Sequence, residues 1–317
     1  MLSDYRREGL GSNGRAGHDR SMNESMHVFD RTAVRRHRDR ARPGDVEDIL
    51  RDCAERLLDR LDDTHHRFGR ALDVGGRCVV APLLRERGIE VVSTDLSPVQ
   101  AGQNGSLAVA ADEEFLPFAP ASFDLVVASL SLHWINDLPG SLIQLRRALR
   151  PDGLFLASLP ALGTLAELRA ALTEAEATLS GGAAPRISPF PDLRDCAGLL
   201  QRAGFALPVA DADDITLLYA DPLALLRDLR AAGETNAVRL RDKRIPPAAL
   251  FPMALSLLPR QDGRVPITLR LAMLTGWAPA PSQPQPLKPG SGTISLTQAL
   301  SEPDAPPSPP NPAGSAR

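Results

Sequence analysis

Between positions 45 and 61 the apolar residues Val46, Ile49, Leu50, Cys53, Leu57, Leu58 and Leu61 recur every three or four places. That spacing predicts an amphipathic helix. Asp45 behind Gly44 is placed to cap its first turn, with Asp48 three residues on. The pattern then changes to short apolar runs on consecutive positions: Ala71–Val74, Val91–Thr94, Leu107–Ala110, Phe123–Ser129 and Leu154–Ala157. Runs of this length read as strands covered on both faces. Helical segments fall between them. One opens behind Gly75-Gly76, a short one starts at Pro98, and Leu138–Leu149 carries Leu142, Leu145 and Leu149 on one face before Arg150-Pro151-Asp152-Gly153 stops it. Alternating strands and helices predict an α/β fold: a doubly wound, mostly parallel sheet with right-handed crossovers.

The later chain adds helices over Leu165–Leu179, Asp192–Ala203 and Pro222–Ala232, and strands over Ile215–Tyr219 and Val265–Leu274, the last expected to pair antiparallel. The sheet then has seven strands in a single domain over 26–278. Met1–Ser25 and the Pro-rich stretch from Pro279 lack apolar periodicity, and 1–25 and 279–317 are expected to be disordered.

Composition narrows the function. A formal net charge of -3 over 317 residues is not that of a general nucleic-acid binder. The basic run Arg35-Arg36-His37-Arg38 reads as a solvated helix face. Cys53, Cys78 and Cys196 stand at no redox or metal-ligand spacing, so unpaired thiols in a reducing compartment are expected, and the location is taken as cytoplasmic. His65-His66 has no third ligand nearby, and no metal site is expected. No run is long and apolar enough to span a membrane.

The chemistry gathers at strand ends. The first strand ends in Asp73-Val74-Gly75-Gly76-Arg77-Cys78-Val79, and Asp95 tips the second about twenty residues past the glycines, the spacing of an acid that accepts from ribose hydroxyls. Asp112 and Ser129 fall at the ends of the next two strands. In a doubly wound sheet those ends form one ligand-binding edge. The glycine turn departs from the usual pattern, since Arg77 and Val79 stand where further glycines are common. His133 and Trp134, just past the fourth strand, are weak candidates for a catalytic role. Ser129, His133 and Asp137 lack the Gly-x-Ser-x-Gly turn of a hydrolase.

Several stretches carry a family resemblance: Val28-Phe29-Asp30-Arg31, Ala71–Gly75, Ala111-Asp112-Glu113-Glu114-Phe115-Leu116-Pro117-Phe118, Ser129–Pro139, Leu149–Gly153, Ile187–Phe190, Arg202–Phe205, Thr275–Trp277 and Gly290–Leu296. The chain resembles class I S-adenosylmethionine-dependent methyltransferases of the type 11 group. It is most similar to the mitochondrial complex I assembly-factor methyltransferase-like branch and the malonyl-carrier-protein methyltransferases of biotin synthesis. The resemblance implies a Rossmann-like methyltransferase fold and S-adenosylmethionine as cofactor. It implies that Asp73, Gly75 and Gly76 face the methionine and ribose portion, that Asp95 binds the ribose hydroxyls with Leu96 against the adenine, and that Asp112, flanked by Ala111 and Glu113, accepts from the adenine amino group. Ser129 then lines the far side. The expected acceptor is a small molecule or a protein, a respiratory complex I subunit or an acyl carrier protein. Two alternatives stand beside methyl transfer: hydroxylation of an arginine in complex I assembly, or a non-catalytic scaffold with a degenerate glycine loop.

Overall fold

The computed structural model describes residues 27–105 and 107–284. In chain order the elements are α1 (Arg31–Asp39), α2 (Glu47–Leu58), β1 (Arg70–Val74), α3 (Val80–Glu86), β2 (Glu90–Asp95), α4 (Pro98–Gln103), β3 (Ala108–Ala110), β4 (Phe123–Ser129), α5 (Leu138–Ala148), β5 (Leu149–Pro160), α6 (Ala166–Ser180), α7 (Leu193–Arg202), β6 (Ala206–Tyr219), α8 (Pro222–Ala231), α9 (Leu250–Leu257) and β7 (Val265–Trp277). One seven-stranded sheet runs in the order β3-β2-β1-β4-β5-β7-β6. The first five strands are mutually parallel, and β7 is antiparallel to both β5 and β6. The order reverses between β1 and β4, so the ligand crevice of a doubly wound sheet falls at their carboxyl ends.

Consecutive apolar positions serve opposite faces. Leu72, Val126, Ala128, Phe155, Ala157 and Leu274 pack with α5 and α7, whereas Ala71, Leu125, Val127, Leu156 and Met273 pack with α2 and α3. Two smaller cores lie outside this sandwich. One joins α6, α8, α9 and the far ends of β6 and β7. The other joins Phe29, Ala33 and Val34 to Trp134 and Ala237, with Leu96 packed against it.

Several boundaries differ from the pattern. Asp45 caps nothing: a 3-10 turn from Pro43 to Val46 takes up the segment, and the cap residue of α2 is Val46 without a side-chain bond. Ser97 and Asp192 do cap α4 and α7, accepting from the amides of Gln100 and Arg194. The breaker cluster Arg150–Gly153 lies inside β5, with Asp152 at φ 62° and a register shift against β4 at Phe123/Leu125. β6 begins nine residues before Ile215. Its Asp211, Asp213 and Asp214 fall before the expected strand, and each meets an arginine: Arg60, Arg56 and Arg270 respectively. α9 has no counterpart in the sequence reading.

The chain divides into two units, Met1–Ala280 and Pro281–Arg317, and the first carries the whole sheet. The expected extension over 1–25, most of the expected tail and the Gly290–Leu296 match lie outside the described residues. Among the described residues no helix is long and apolar enough to cross a membrane.

Candidate functional site

The β1–α3 turn is built around close approach. Gly75 takes φ +64°, and a Cβ there would lie 2.8 Å from Ser131 Cβ and 2.9 Å from Arg38 Nη1. A Cβ on Gly76 would lie 2.1 Å from Asp73 Oδ1, so neither glycine tolerates a side chain. The left-handed freedom continues at Arg77 (φ 52°) and Cys78 (φ 65°) rather than at Gly76. The departure from the usual glycine pattern is therefore accommodated by two non-glycine residues in the left-handed region.

Asp73 is fully buried; its Oδ2 accepts from Ser93 Oγ at 3.3 Å, and its Oδ1 has no hydrogen-bond partner. Burial, with the nearby Asp95 charge, pushes its carboxyl up to about 7 against the pull of the Ser93 hydroxyl. Asp95, also fully buried, accepts from Ser97 N at 2.8 Å and from Arg38 Nη1 at 3.1 Å. Asp112 Oδ1 accepts from Arg31 Nη2 at 2.5 Å and from Glu114 N at 3.0 Å. Glu113 is buried and also paired with Arg31, so its carboxylate serves the ion pair. Ala111 donates its amide to Asp95 O at 3.0 Å, and Ser129 Oγ lies 3.3 Å from Ser158 Oγ.

α1 lies across these strand ends. Arg31 and Arg38, seven residues apart on one helix face, reach Asp112 and Asp95, and Arg31 Nη1 donates to Trp134 O at 3.1 Å. The basic run is thus not wholly a solvated face. Arg35 and Arg36 are exposed, but Arg38 is 3% exposed and tied to the β2 acid.

His133 and Trp134 are buried in a short turn after β4 and share a partner. His133 Nε2 lies 2.7 Å from Glu234 Oε2, Trp134 Nε1 donates to the same oxygen at 2.7 Å, and Arg77 Nη2 pairs with the other oxygen, Oε1. Arg77 also donates to Leu130 O at 2.7 Å. Glu234 was not singled out from the sequence. Its signal is local: Gly233 ends α8 at φ +78°, and the amides of Gly233 and Glu234 return to Arg230 O and Leu229 O. This paired closure turns the chain back toward the strand ends. Burial acts to raise the Glu234 carboxyl, but its contacts with His133 and with the Arg77 guanidinium outweigh it and hold it well below the usual carboxylate range.

Against this cluster lies a cavity of about 490 Å³, lined by Arg77, Leu130, His133 and Trp134 and by residues of α6, α8 and the far ends of β6 and β7. Asp73, Gly75, Gly76, Asp95, Leu96, Ala111, Asp112, Glu113 and Ser129 do not line it. The site therefore has two compartments, the acid-tipped strand ends under α1 and the cavity, joined at the Arg77–Glu234–His133 cluster.

A family model described as a methyltransferase domain matches residues 72–157, from β1 through β5. The arginine-hydroxylase NDUFAF5, mitochondrial, of Danio rerio is 38% identical over 293 residues, 87% of this chain and 90% of that protein. The chain belongs to the S-adenosylmethionine-dependent methyltransferase-like family. The Homo sapiens arginine-hydroxylase NDUFAF5 is 36% identical over 86% of this chain and 83% of its own. The malonyl-[acyl-carrier protein] O-methyltransferase of Xylella fastidiosa is 35% identical over 82% and 86%.

The family's cofactor fits the strand-end residues in kind. A carboxylate has about four acceptor positions, and Asp95 uses two of them, so acceptor capacity remains on this buried carboxylate. Asp112 is half-buried with its Oδ2 unengaged by the bonds above. Asp73 Oδ1 is an orphaned acceptor beside the glycine turn.

Proposed function

We propose that the chain is a methyltransferase that binds S-adenosylmethionine at the carboxyl ends of β1 to β4 and holds its methyl acceptor in the adjoining cavity. The observation that carries this reading is the pairing of the two compartments. Acids with spare acceptor capacity stand at the strand ends, and an apolar cavity opens beside them across Arg77 and His133. The bound cofactor supplies an electrophilic methyl group. Asp95 holds the ribose hydroxyls, with Leu96 against the adenine. Asp112 accepts from the adenine amino group, with Ala111 and Glu113 on either side. Asp73, Gly75 and Gly76 receive the methionine end, and Ser129 closes the far wall. Arg31 and Arg38 anchor α1 over this compartment and keep water from it. Positioning of acceptor and methyl in line then supplies most of the acceleration. The unbonded cysteines support a reducing, cytoplasmic setting.

A second reading is hydroxylation of a protein arginine, the activity named for the first relatives above. It draws support from Glu234, which already grips a guanidinium, that of Arg77. The methyl acceptor could likewise be presented on a protein, such as an acyl carrier protein.

Titration calorimetry with S-adenosylmethionine tests the first reading. One site is expected, weakened by about 1.5–3 kcal/mol in Asp95→Ala through loss of hydrogen bonds to a charged group. No heat from folded protein rejects it and favours a scaffold. Deletion in the host separates the acceptors: an unmodified arginine on a complex I subunit points to hydroxylation, biotin auxotrophy to the carrier-protein substrate.

A further inference from the structure

The acid assigned to the ribose hydroxyls already holds a cation. Asp95 is fully buried, and Arg38, itself 3% exposed, donates from Nη1 to its Oδ2 at 3.1 Å. The same Nη1 lies 2.9 Å from the point where a Cβ on Gly75 would stand, and Ser131 Oγ lies 3.6 Å from that point. One guanidinium therefore bridges the β2 acid and the β1–α3 turn. With Ser97 N on Oδ1, Arg38 on Oδ2 and no exposed surface, the carboxylate can receive a hydroxyl only if a cover leaves. Ser97 N is backbone of the turn that follows β2, whereas Arg38 is a side chain brought by α1. Arg38 is the cover that can leave.

The two halves of α1 are held differently. Its first half carries Ala33 and Val34 into the small core with Phe29 and Trp134, and Arg31 ties it to Asp112 and Glu113. The second half, Arg35–Asp39, adds no apolar residue to a core. Polar bonds alone fasten it to the start of α4. Asp39 Oδ1 accepts from Ser97 Oγ at 2.6 Å, and Gln100 Nε2 donates to Arg38 O at 3.0 Å and to Ala41 O at 3.3 Å. A segment with few buried apolar contacts opens at low cost relative to the sheet beneath it.

We propose that Arg38 gates the cofactor compartment: its guanidinium competes with the ribose hydroxyls for Asp95, and the cofactor enters when the second half of α1 lifts that guanidinium away. The inference rests on the cofactor reading above and deepens it by naming what must move. Arg38 and the ribose are alternative partners of one buried carboxylate. The exchange keeps the charge of the compartment in balance. The carboxylates acting on Arg38 are Asp95, Glu113 and Glu234, and S-adenosylmethionine, with its sulfonium and ammonium against one carboxylate, returns the positive charge that the guanidinium withdraws. Two consequences follow from competition. The apparent affinity is lowered by the fraction of molecules in which Asp95 is uncovered. Association is limited by the opening of α1 once the cofactor is plentiful.

The test uses the full chain and S-adenosylmethionine itself, with affinity from calorimetry and rate from stopped-flow tryptophan fluorescence. Trp134 is the reporter, because its ring meets Phe29, just ahead of α1, at 5.3 Å. In the parent the observed rate should level off as cofactor rises. Arg38→Met should bind about tenfold or more tightly and lose the plateau. Asp39→Ala removes the tether to Ser97 and leaves Arg38 and the strand-end acids in place. It should raise the plateau about fivefold, one hydrogen bond's worth, and it carries the test if Arg38→Met does not fold. Weaker binding by Arg38→Met would make Arg38 a cofactor ligand and overturn the gate. A parent rate that stays linear in cofactor, or a plateau that Asp39→Ala leaves unchanged, overturns it as well. The two failures remain distinct. Cofactor heat with either of those kinetic results sinks the gate and leaves the methyltransferase reading standing, whereas no heat from the parent or either variant sinks both.

Discussion

Asp73→Asn should stabilise the protein, and by an amount that depends on pH. Asp73 is fully buried against Ser93, with Asp95 nearby, and its carboxyl is pushed up from 3.8 to about 7. In the unfolded chain it ionises near its ordinary value, so between roughly pH 4 and 7 folding takes up a proton and stability falls as pH rises. At 1.36 kcal/mol per pKa the penalty reaches about 4 kcal/mol above pH 7, an upper bound once local relaxation is allowed. Asn has nearly the same shape and carries no charge. Urea unfolding of both proteins from pH 4 to 9 should give curves that nearly coincide at pH 4, diverge through pH 7, and stay a constant few kcal/mol apart above it. The pH dependence is the discriminating feature. A gap that is flat across the range, or a variant less stable than the parent at pH 8, would refute the burial argument.

Arg38→Met strips the partner from a fully buried Asp95 and should cost about 3–5 kcal/mol, read as a fall in the urea midpoint, while adding Asp95→Asn should recover much of it. Phe155→Ala opens the core where Phe155 stacks on Phe205 at 5.0 Å, and about 3–5 kcal/mol should be lost in chemical denaturation. Asp213→Ala breaks an ion pair with a well-exposed Arg56 and should shift stability by less than about 1 kcal/mol, less still in high salt. Burial raises the thiols of Cys53, Cys78 and Cys196 to about 12, 11 and 11, so native protein at pH 7.5 should label slowly with a thiol reagent; a fast phase equivalent to one thiol counts against this.

The parallel half of the sheet was legible because its strands are covered on both faces and so read as unbroken apolar runs; β4 fell on its expected bounds. β6 was half-legible for the opposite reason. It is an edge strand whose polar positions, Asp211, Asp213 and Asp214, are satisfied by arginines distant in sequence, and no local pattern reveals such partners. The strand-end acids were readable because the βα alternation fixes where each strand stops. The arginines that meet them were not. Arg38 sits in a run of four basic residues, and only the packing of Ala33 and Val34 of α1 decides which one turns inward. Glu234 was hidden in the same way, since its three partners come from two loops a hundred residues or more upstream.

The placement of β7 bears on how the chain can be made. Among the described residues it is the last strand in sequence, yet it lies between β5 and β6 and bonds to both. During synthesis the parallel half can assemble early, but the open side of β5 has no neighbour until residues 265–277 emerge. A row of unpaired amides and carbonyls on an apolar strand is a template for pairing with other chains. Nascent or truncated chains that stop short of Val265 should therefore need a chaperone to stay in solution.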